Sequence, residues 1–210
     1  VDVVDAELAA LQAAQASAVE QAGHEGVGVA LDGIEEAGDL ALVPLEDRIA
    51  GPGTSPIMAA FTHLNPEGDR FTDGSYGVFY VGLTLATAIA ETRYHRARFL
   101  AATDEPAQEL DMRVYAVDLD APLHDIRGAR EVLPALYHPD SYAVSQGTAR
   151  RLRDEGANGI VYESVRDAGG ECAAVFRPRL LSNCRQERHL TYVWDGSTVS
   201  TVYEKRMLDG

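Results

Sequence analysis

The stretch Gly68–Leu100, GDRFTDGSYGVFYVGLTLATAIAETRYHRARFL, contains the signals that predict the centre of the fold. It opens with polar residues and an Asp73-Gly74 pair, which favours a turn because glycine has no Cβ and accepts positive φ angles. The apolar run Val78–Val81 is rich in strand-forming residues and ends at a glycine. Thr84 is a suitable N-cap for the helix that follows. The stretch therefore predicts a turn, a strand and a helix in direct succession.

This unit presents three side chains of different chemistry. The turn carries Arg70, the strand carries Tyr80 and the helix carries Glu91. A cation, an aromatic ring and a carboxylate together suit a phosphorylated, positively charged sugar–base compound. Each also has a structural explanation when taken singly. Arg70 fits a surface arginine, Tyr80 fits a core aromatic, and Glu91 fits a solvated helical carboxylate paired with His95 at i+4.

The composition limits the classes of function. A chain of 210 residues is long enough to bury a good core as one domain. Its net charge of −15 argues against a general affinity for nucleic acid, whose phosphates need basic partners. Eleven acidic residues and no Lys or Arg precede Arg48, so this segment carries −11 of the −15. A solvated acidic arm is favoured there over a docking surface.

Membrane, disulfide and metal signals are missing from the sequence. No apolar run is long enough to span a bilayer, and the N-terminus lacks the basic start and hydrophobic core of a signal peptide. Cys172 and Cys184 lack CxxC spacing, so we expect reduced thiols and no zinc site. There is no HExxH or paired-His spacing for a metal, and no GxSxG for a serine hydrolase. These patterns predict a cytoplasmic protein without a metal.

The remaining pattern predicts an α+β fold of many short strands and two main helices. We expect an acidic helical arm over residues 1–39, with its helix at 3–22, and a core domain over 40–210. Another helix is predicted from Pro139 to Gly156. Ser164 and Arg166 follow a strand, where functional residues are common. Further predicted strands are 27–31, 57–61, 112–119, 159–162 and 172–176, and a terminal hairpin of 190–194 and 198–203.

Two parts of the chain together resemble a known family. The run GDRFTDGSYGVFYVGLTLATAIAETRYH, followed downstream by GIVYESVRDAGGECAAVFRP, is similar to the RES domain, which is named for an arginine, a glutamate and a serine. Matched residue by residue, these are Arg70 in GDRF, Glu91 in AIAET and Ser164 in YESVR. An upstream arginine of the family matches Arg48, and the aromatic midway between the arginine and the glutamate matches Tyr80. The resemblance covers about residues 42–181.

The resemblance implies both a fold and a partner. RES proteins are similar to ADP-ribosyltransferases of the diphtheria-toxin kind, so mixed and antiparallel short-stranded sheets with flanking helices are expected. They are typically toxins of bacterial toxin–antitoxin pairs and consume NAD+. Their antitoxins usually carry a helix-turn-helix DNA-binding domain. The implied partner is therefore a cognate antitoxin in a hetero-oligomer, with NAD+ as substrate, no metal and no direct nucleic-acid contact.

The matched side chains suit NAD+. Arginines fit its pyrophosphate, and a tyrosine ring fits the flat cationic nicotinamide. Breaking the nicotinamide–ribose bond develops positive charge on the sugar, which a carboxylate stabilises, and a serine orients that carboxylate or the ribose. The expected catalytic residues are Glu91, Arg70, Tyr80 and Ser164, and the expected NAD+-binding residues are Arg48, Arg70, Tyr80 and Arg166.

The motif leaves the acceptor of ADP-ribose open. Water makes the protein a glycohydrolase, phosphate makes it a phosphorylase, and a protein side chain makes it a transferase. The arm and the terminal hairpin exceed a minimal RES core, and this extra surface slightly favours a host protein acceptor, although it serves antitoxin binding equally well. Two other classes are a ribonuclease toxin, which the acidic balance disfavours, and a non-catalytic binding module.

Overall fold

The computed structural model describes residues 23–31, 38–206 and 208, and over these residues the fold is α+β. Its helices are α1 (Ser55–Thr62), α2 (Leu85–Ala102) and α3 (Ala143–Asp154). Its strands are β1 (Gly23–Leu31), β2 (Phe79–Gly82), β3 (Gln108–Asp120), β4 (His124–Asp125), β5 (Gly159–Glu163), β6 (Glu171–Val175), β7 (Leu181–Trp194) and β8 (Val199–Lys205). The α+β prediction is confirmed.

The described strands form one mixed sheet in the order β4-β5-β6-β2-β1-β3-β7-β8. The β4–β5 pair is parallel, and the other neighbouring pairs are antiparallel. The predicted central unit is confirmed in this sheet. Its strand, β2, lies between β1 and β6, and the helix that follows it, α2, begins behind a Thr84 N-cap whose side chain accepts the Thr87 N–H. The carboxyl end of β5, which leads to Ser164, lies two strands from β2.

β1 lies within the range expected for the N-terminal arm, yet it is a strand of this sheet. It pairs with β3 along its length, from Gly23 opposite Asp120 to Leu31 opposite Met112. A Cβ on Gly26 would lie 2.8 Å from Val81, so glycine allows β1 and β2 to approach each other. The strand predicted at 27–31 is thus confirmed and is longer than expected. The helix predicted over 3–22 lies outside the described residues.

The strand predicted over 57–61 is wrong, because these residues belong to helix α1. A short continuous apolar run fits a buried strand and a buried helix equally well. Pro56 occupies the first turn of α1, where its missing N–H costs nothing. Ile57, Met58 and Phe61 face the core at helical spacing. The preceding proline was the local signal for the helix.

The helix predicted from Pro139 begins later, at Ala143. The residues before it form a turn around the His138 ring instead. Nδ1 of His138 accepts the backbone N–H groups of Asp140 and Ser141, at 3.1 and 2.8 Å. These bonds hold residues 138–141 outside the helix, and the segment lies beside the cleft described below.

The terminal hairpin is confirmed, and its first strand is longer than predicted. The turn between β7 and β8 has Gly196 at φ +97°, and Asp195 Oδ1 accepts the backbone N–H groups of Ser197 and Thr198. The predicted strand began at Leu190, whereas β7 begins at Leu181. Its first half is mostly exposed and polar, so it lacks the apolar alternation that marks a strand. Backbone pairing with β3 forms this part of β7.

Buried side chains pack on the sheet and against the helices. Ile160 of β5 packs with Leu152 of α3, Val81 of β2 packs near Ile57 of α1, and Trp194 of β7 packs near α2. Cys172 and Cys184 are free thiols, as expected. None of the helices in the described ranges is long and apolar enough to cross a membrane.

Candidate active site

A cleft of about 1070 Å³ runs along α2. One wall is the helix itself, from Ala88 to Ala102. Opposite it lie the loop of residues 65–70, the backbone of β1 near Gly28, and Tyr142 at the start of α3. Arg70, Tyr80 and Glu91, which the sequence predicted as site residues, line this cleft together. The turn, strand and helix of the central unit therefore converge on one cavity.

Glu91 is held by Ser164 at the side of the cleft. The Ser164 hydroxyl donates to Glu91 Oε1 at 2.6 Å, a short charge-assisted contact. Ser164 is 2% exposed, and its oxygen accepts the backbone N–H groups of Arg166 and Asp167, at 3.1 and 2.9 Å. Among the described residues, Glu91 Oε2 has no hydrogen-bond partner. One carboxylate oxygen is thus fixed, and the other is available to a ligand.

Arg70 is buried, at 9% exposure, on the same cleft. Its Nη1 donates to the carbonyl oxygens of Leu136 and His138, both at 3.0 Å. Its guanidinium also lies 4.8 Å from the centre of the Tyr142 ring, at cation–π distance. Within the described chain, Nε and Nη2 of Arg70 make no hydrogen bond. The guanidinium is positioned by one nitrogen and keeps two donor groups for an anion.

Tyr80 lines the cleft with its ring and anchors the Arg70 loop with its hydroxyl. The hydroxyl oxygen accepts the backbone N–H of Phe71 at 2.9 Å. Burial, together with the nearby Asp69 carboxylate, raises the pKa of Tyr80 well above its ordinary value. Tyr80 therefore stays a neutral phenol at physiological pH, and its hydroxyl is a structural group.

Arg166, expected as a phosphate contact, is not among the side chains that line the cleft. Its guanidinium carbon lies 3.3 Å from the centre of the Tyr94 ring. It donates through Nη2 to the Pro139 carbonyl and forms an ion pair with Asp140 at 3.9 Å. Tyr94 also donates to Asp140 at 2.5 Å. Arg166 thus holds residues 139–140, which directly follow the Leu136 and His138 carbonyls that Arg70 binds.

Arg48, also expected at the pyrophosphate, is exposed and does not line the cleft. Its Nε donates to the Val43 carbonyl at 2.8 Å. The preceding Asp47 is buried and accepts from Arg179 at 2.6 Å and from Arg177 at 3.4 Å. These bonds fasten residues 43–48 to the chain before β7. The structure therefore brings Arg70, Tyr80 and Glu91 together in the lining, with Ser164 hydrogen-bonded to Glu91, and leaves Arg48 and Arg166 outside it.

Among the titratable groups that line the cleft, His95 was expected from the sequence only as a surface partner of Glu91, and Asp69 was given no role. Burial lowers the pKa of His95, while the carboxylates of Glu91 and Asp69 act against this shift. Burial raises the pKa of Asp69, partly offset by His95 and by a hydrogen bond from Asn65. The available signal was the i+4 spacing of His95 from Glu91, which places both on one face of α2. His95 is mainly a neutral imidazole beside Glu91 at neutral pH.

Cys172 lines the cleft from β6, opposite Gly82 of β2. Burial and the nearby Glu91 carboxylate raise the pKa of this thiol to about 12. A thiol with so high a pKa is a poor nucleophile. In the described ranges, no three His, Cys, Asp or Glu side chains cluster as a metal ion would require. The cleft also presents the Glu91 carboxylate, the Arg70 guanidinium and the Tyr80 ring.

The fold and cleft define an α+β protein with an Arg–Tyr–Glu–Ser site. Its sequence matches the RES domain family over residues 45–195, and the chain belongs to that family. It is also similar to Uncharacterized protein y4oC of Sinorhizobium fredii (strain NBRC 101917 / NGR234), with 31% identity over 151 residues. The match covers 70% of this chain and 60% of that protein, so the chain spans less than two thirds of the length of this relative.

A solved structure shares the fold. The chain is similar to one in the crystal structure of the M. tuberculosis MbcT–MbcA toxin–antitoxin complex, with a TM-score of 0.52 and 14% sequence identity. The similarity covers 89% of this chain and 92% of that one. It therefore extends beyond the matched family region and includes most of the sheet.

Proposed function

We propose that this protein is the toxin of a toxin–antitoxin pair that binds NAD+ in the cleft, cleaves the nicotinamide–ribose bond and transfers ADP-ribose. The observation that carries the proposal is the 2.6 Å hydrogen bond between Ser164 and Glu91 on a cleft also lined by Arg70 and Tyr80. Membership of the RES family and the similarity to a chain of a toxin–antitoxin complex support it.

Glu91 is the proposed catalytic residue. Departure of nicotinamide leaves an oxocarbenium-like ribose, as in glycoside hydrolysis, and a nearby carboxylate stabilises its positive charge. Ser164 holds Oε1, so Oε2 faces the ribose or accepts from a ribose hydroxyl. The electron pair of the broken bond goes to the nicotinamide ring, which leaves as a neutral molecule without needing a proton. A general acid is therefore not required for this step.

Arg70 and Tyr80 are the proposed binding residues. The free Nε and Nη2 donors of Arg70 suit a pyrophosphate oxygen pair, since a guanidinium binds such groups in a fork. The Tyr80 ring suits the cationic nicotinamide, which loses its charge as the bond breaks. Arg48 and Arg166, whose guanidinium groups are held by protein carbonyls, enter the proposal as supports of the surrounding loops.

A protein side chain is the first candidate for the acceptor, with phosphate or water as the alternative. The cleft volume of about 1070 Å³ lies slightly above the range of about 300–1,000 Å³ that is usual for small-molecule sites. That leaves room for an acceptor beside the dinucleotide. A host protein target and a cognate antitoxin, with a helix-turn-helix DNA-binding domain, are the macromolecular partners in this proposal.

The test is to incubate the purified protein with NAD+ and to measure free nicotinamide by chromatography. Parallel reactions contain buffer alone, phosphate or bacterial lysate, and mass spectrometry identifies ADP-ribose, ADP-ribose phosphate or a modified protein. Glu91→Gln keeps the shape and loses the charge, so we expect nicotinamide release to fall at least about 100-fold. Glu109→Gln removes an exposed carboxylate of β3 and serves as the matched control.

The outcomes separate the classes of function. Nicotinamide release that depends on Glu91 supports the proposal, and the product then identifies the acceptor. Degradation of RNA without nicotinamide release identifies a ribonuclease. NAD+ binding without turnover under all three conditions identifies a binding module. Nicotinamide release that is equal in Glu91→Gln and wild type rejects Glu91 as the catalytic residue.

A further inference from the structure

The turn that carries Ser164 is attached to α2 at a second point. The Thr87 hydroxyl donates to Asp167 Oδ2 at 2.7 Å. Thr87 precedes Glu91 by four residues on α2, so the two side chains lie on the same face of the helix. Asp167 in turn follows Ser164 by three residues. One helix face and one short turn are therefore joined by two parallel contacts, Thr87 with Asp167 and Glu91 with Ser164.

The directions of these hydrogen bonds are fixed by chemistry. A carboxylate oxygen accepts, so the Thr87 hydroxyl donates its one proton to Asp167. Thr84 and Thr87 hydroxyl oxygens are 2.9 Å apart, and Thr84 must therefore be the donor in that pair. The Thr84 oxygen also accepts the Thr87 N–H as the N-cap of α2. Thr84, Thr87 and Asp167 thus form one chain of hydrogen bonds, in which the Asp167 carboxylate is the final acceptor.

The Ser164 hydroxyl is held by three hydrogen bonds. Its oxygen accepts two backbone N–H groups, from Arg166 and Asp167, which use both of its lone pairs. Its single proton then points at Glu91 Oε1. The backbone N–H groups of Arg166 and Asp167 therefore orient the hydroxyl whose proton contacts Glu91.

Gly170 closes the turn against this pair. Its N–H donates to the Asp167 carbonyl, and its carbonyl accepts the Ser164 N–H at 2.8 Å. A Cβ at position 170 would lie 2.5 Å from both Asp167 Oδ2 and Thr87 Oγ1. The backbone of Gly170 thus packs directly on the Thr87–Asp167 hydrogen bond, and a side chain there would separate the two residues.

We propose that Thr87 and Asp167 are positioning residues that fix the Glu91–Ser164 geometry from outside the reacting atoms. This inference rests on the proposed function for its effect on turnover. The hydrogen bond from Thr87 holds the Asp167 backbone in place, Asp167 and Arg166 orient Ser164, and Ser164 orients Glu91. Loss of this support leaves the binding groups Arg70 and Tyr80 unchanged and displaces the carboxylate.

The kinetic test compares Thr87→Val, Asp167→Ala and Thr87→Ser with wild type. Because a small misplacement of a catalytic group affects the chemical step, we expect kcat for nicotinamide release to fall about 10-fold or more in the first two variants. KM should stay within about twofold, since the binding groups are intact. Thr87→Ser retains the hydroxyl donor, so its kcat should stay near the wild-type value. Thr201→Val on β8 controls for the loss of a threonine hydroxyl.

A double variant tests whether Thr87 acts through Ser164. With Ser164→Ala already present, adding Thr87→Val should lower kcat by less than about twofold, because the group that Thr87 positions is gone. The proposal is overturned if the kcat losses of the two substitutions multiply independently in the double variant. It is also overturned if Thr87→Val leaves kcat unchanged or raises KM alone.

A readout without NAD+ separates this inference from the proposed function. Amide hydrogen exchange of Arg166 and Asp167, followed by NMR, should accelerate about 10-fold in Thr87→Val, while amides of β3 keep their wild-type rates. Unchanged protection of both amides refutes the positioning role whether or not the protein consumes NAD+. A wild-type protein that releases no nicotinamide contradicts the proposed function alone, and the exchange rates then decide the structural role.

Discussion

Ser164 and Glu91 are 73 residues apart in sequence, and the serine hydroxyl donates to Glu91 Oε1 at 2.6 Å. The serine follows a strand of the sheet, whereas the glutamate lies in the middle of a helix. The hydrogen bond therefore fixes a flexible helical side chain to a rigid part of the fold. A carboxylate held in this way loses little conformational entropy when a ligand binds beside it.

The first prediction concerns Ser164→Ala. A hydrogen bond to a charged group contributes about 1.5–3 kcal/mol, so we expect kcat for nicotinamide release to fall about 10- to 100-fold, with a smaller change in KM. The variant should also unfold more easily, because the N–H groups of Arg166 and Asp167 lose their acceptor. Initial rates and thermal melts measure the two effects. Ser182→Ala, in an exposed position of β7, is the matched control. Full activity in Ser164→Ala would leave the serine a purely structural role.

How much of this site could be predicted differs among its residues. The Asp73-Gly74 turn, the β2 strand and the Thr84 cap all follow from local signals within a few residues, and they place Arg70, Tyr80 and Glu91 near one another. The partnership of Glu91 with Ser164 has no local signal. It was expected from the resemblance to the RES family, and the hydrogen bond in the structure agrees with that expectation.

Long-range backbone contacts could not be predicted. Arg70 donates to the carbonyls of Leu136 and His138, which are 66 and 68 residues further along the chain. Any carbonyl can accept such bonds, so sequence contains no pattern that identifies these two. The same limit applies to Arg166, whose guanidinium meets the Tyr94 ring and the Pro139 carbonyl. From the sequence alone, an arginine after a strand is as consistent with a ligand contact as with these contacts inside the protein.

The second prediction concerns Arg70→Lys. An ammonium retains the charge but lacks the planar fork, so it cannot bind both carbonyls and a phosphate in the same geometry. Loss of a charge-assisted contact of about 1.5–3 kcal/mol should weaken NAD+ binding about 10- to 100-fold. Isothermal titration on a Glu91→Gln background measures affinity without turnover. Arg150→Lys alters an exposed arginine that pairs with Asp73, and its affinity for NAD+ should equal that of the parent protein.

The third prediction separates the ring of Tyr80 from its hydroxyl. Tyr80→Phe keeps the ring for stacking and removes the acceptor of the Phe71 N–H. Leaving that partly buried group unsatisfied costs about 1–3 kcal/mol, so the free energy of unfolding should fall by about that amount. NAD+ affinity should fall less in Tyr80→Phe than in Tyr80→Leu, which lacks an aromatic face. Equal affinities of the two variants would exclude stacking as the role of the ring.

The last prediction concerns pH and His95. Burial lowers the pKa of His95 below the ordinary value of 6.5, so the folded protein takes up this proton at lower pH than the unfolded chain does. Between the folded pKa and 6.5 the unfolded state binds more protons, and stability therefore rises with pH in that window. As pH falls through this window, the free energy of unfolding should decrease. Glu91, Asp69, Arg166 and Arg70 are the charged groups that act on the imidazole.

Urea unfolding at pH 7.5, 6.5 and 5.5 measures this dependence, and His95→Gln should flatten it because glutamine does not titrate. His124 is half-buried and its pKa is also lowered, so it contributes to the wild-type slope with the same sign as His95, and His124→Gln removes that contribution. Asp69 acts with the opposite sign, since burial raises its pKa and its contribution is lost as pH rises from 3.8 upwards. Because His95 itself lowers the pKa of Asp69, wild type and His95→Gln are compared on an Asp69→Asn background, in which this coupling is absent. A His95→Gln protein with the same pH slope as wild type would show that the imidazole titrates alike in the folded and unfolded chains.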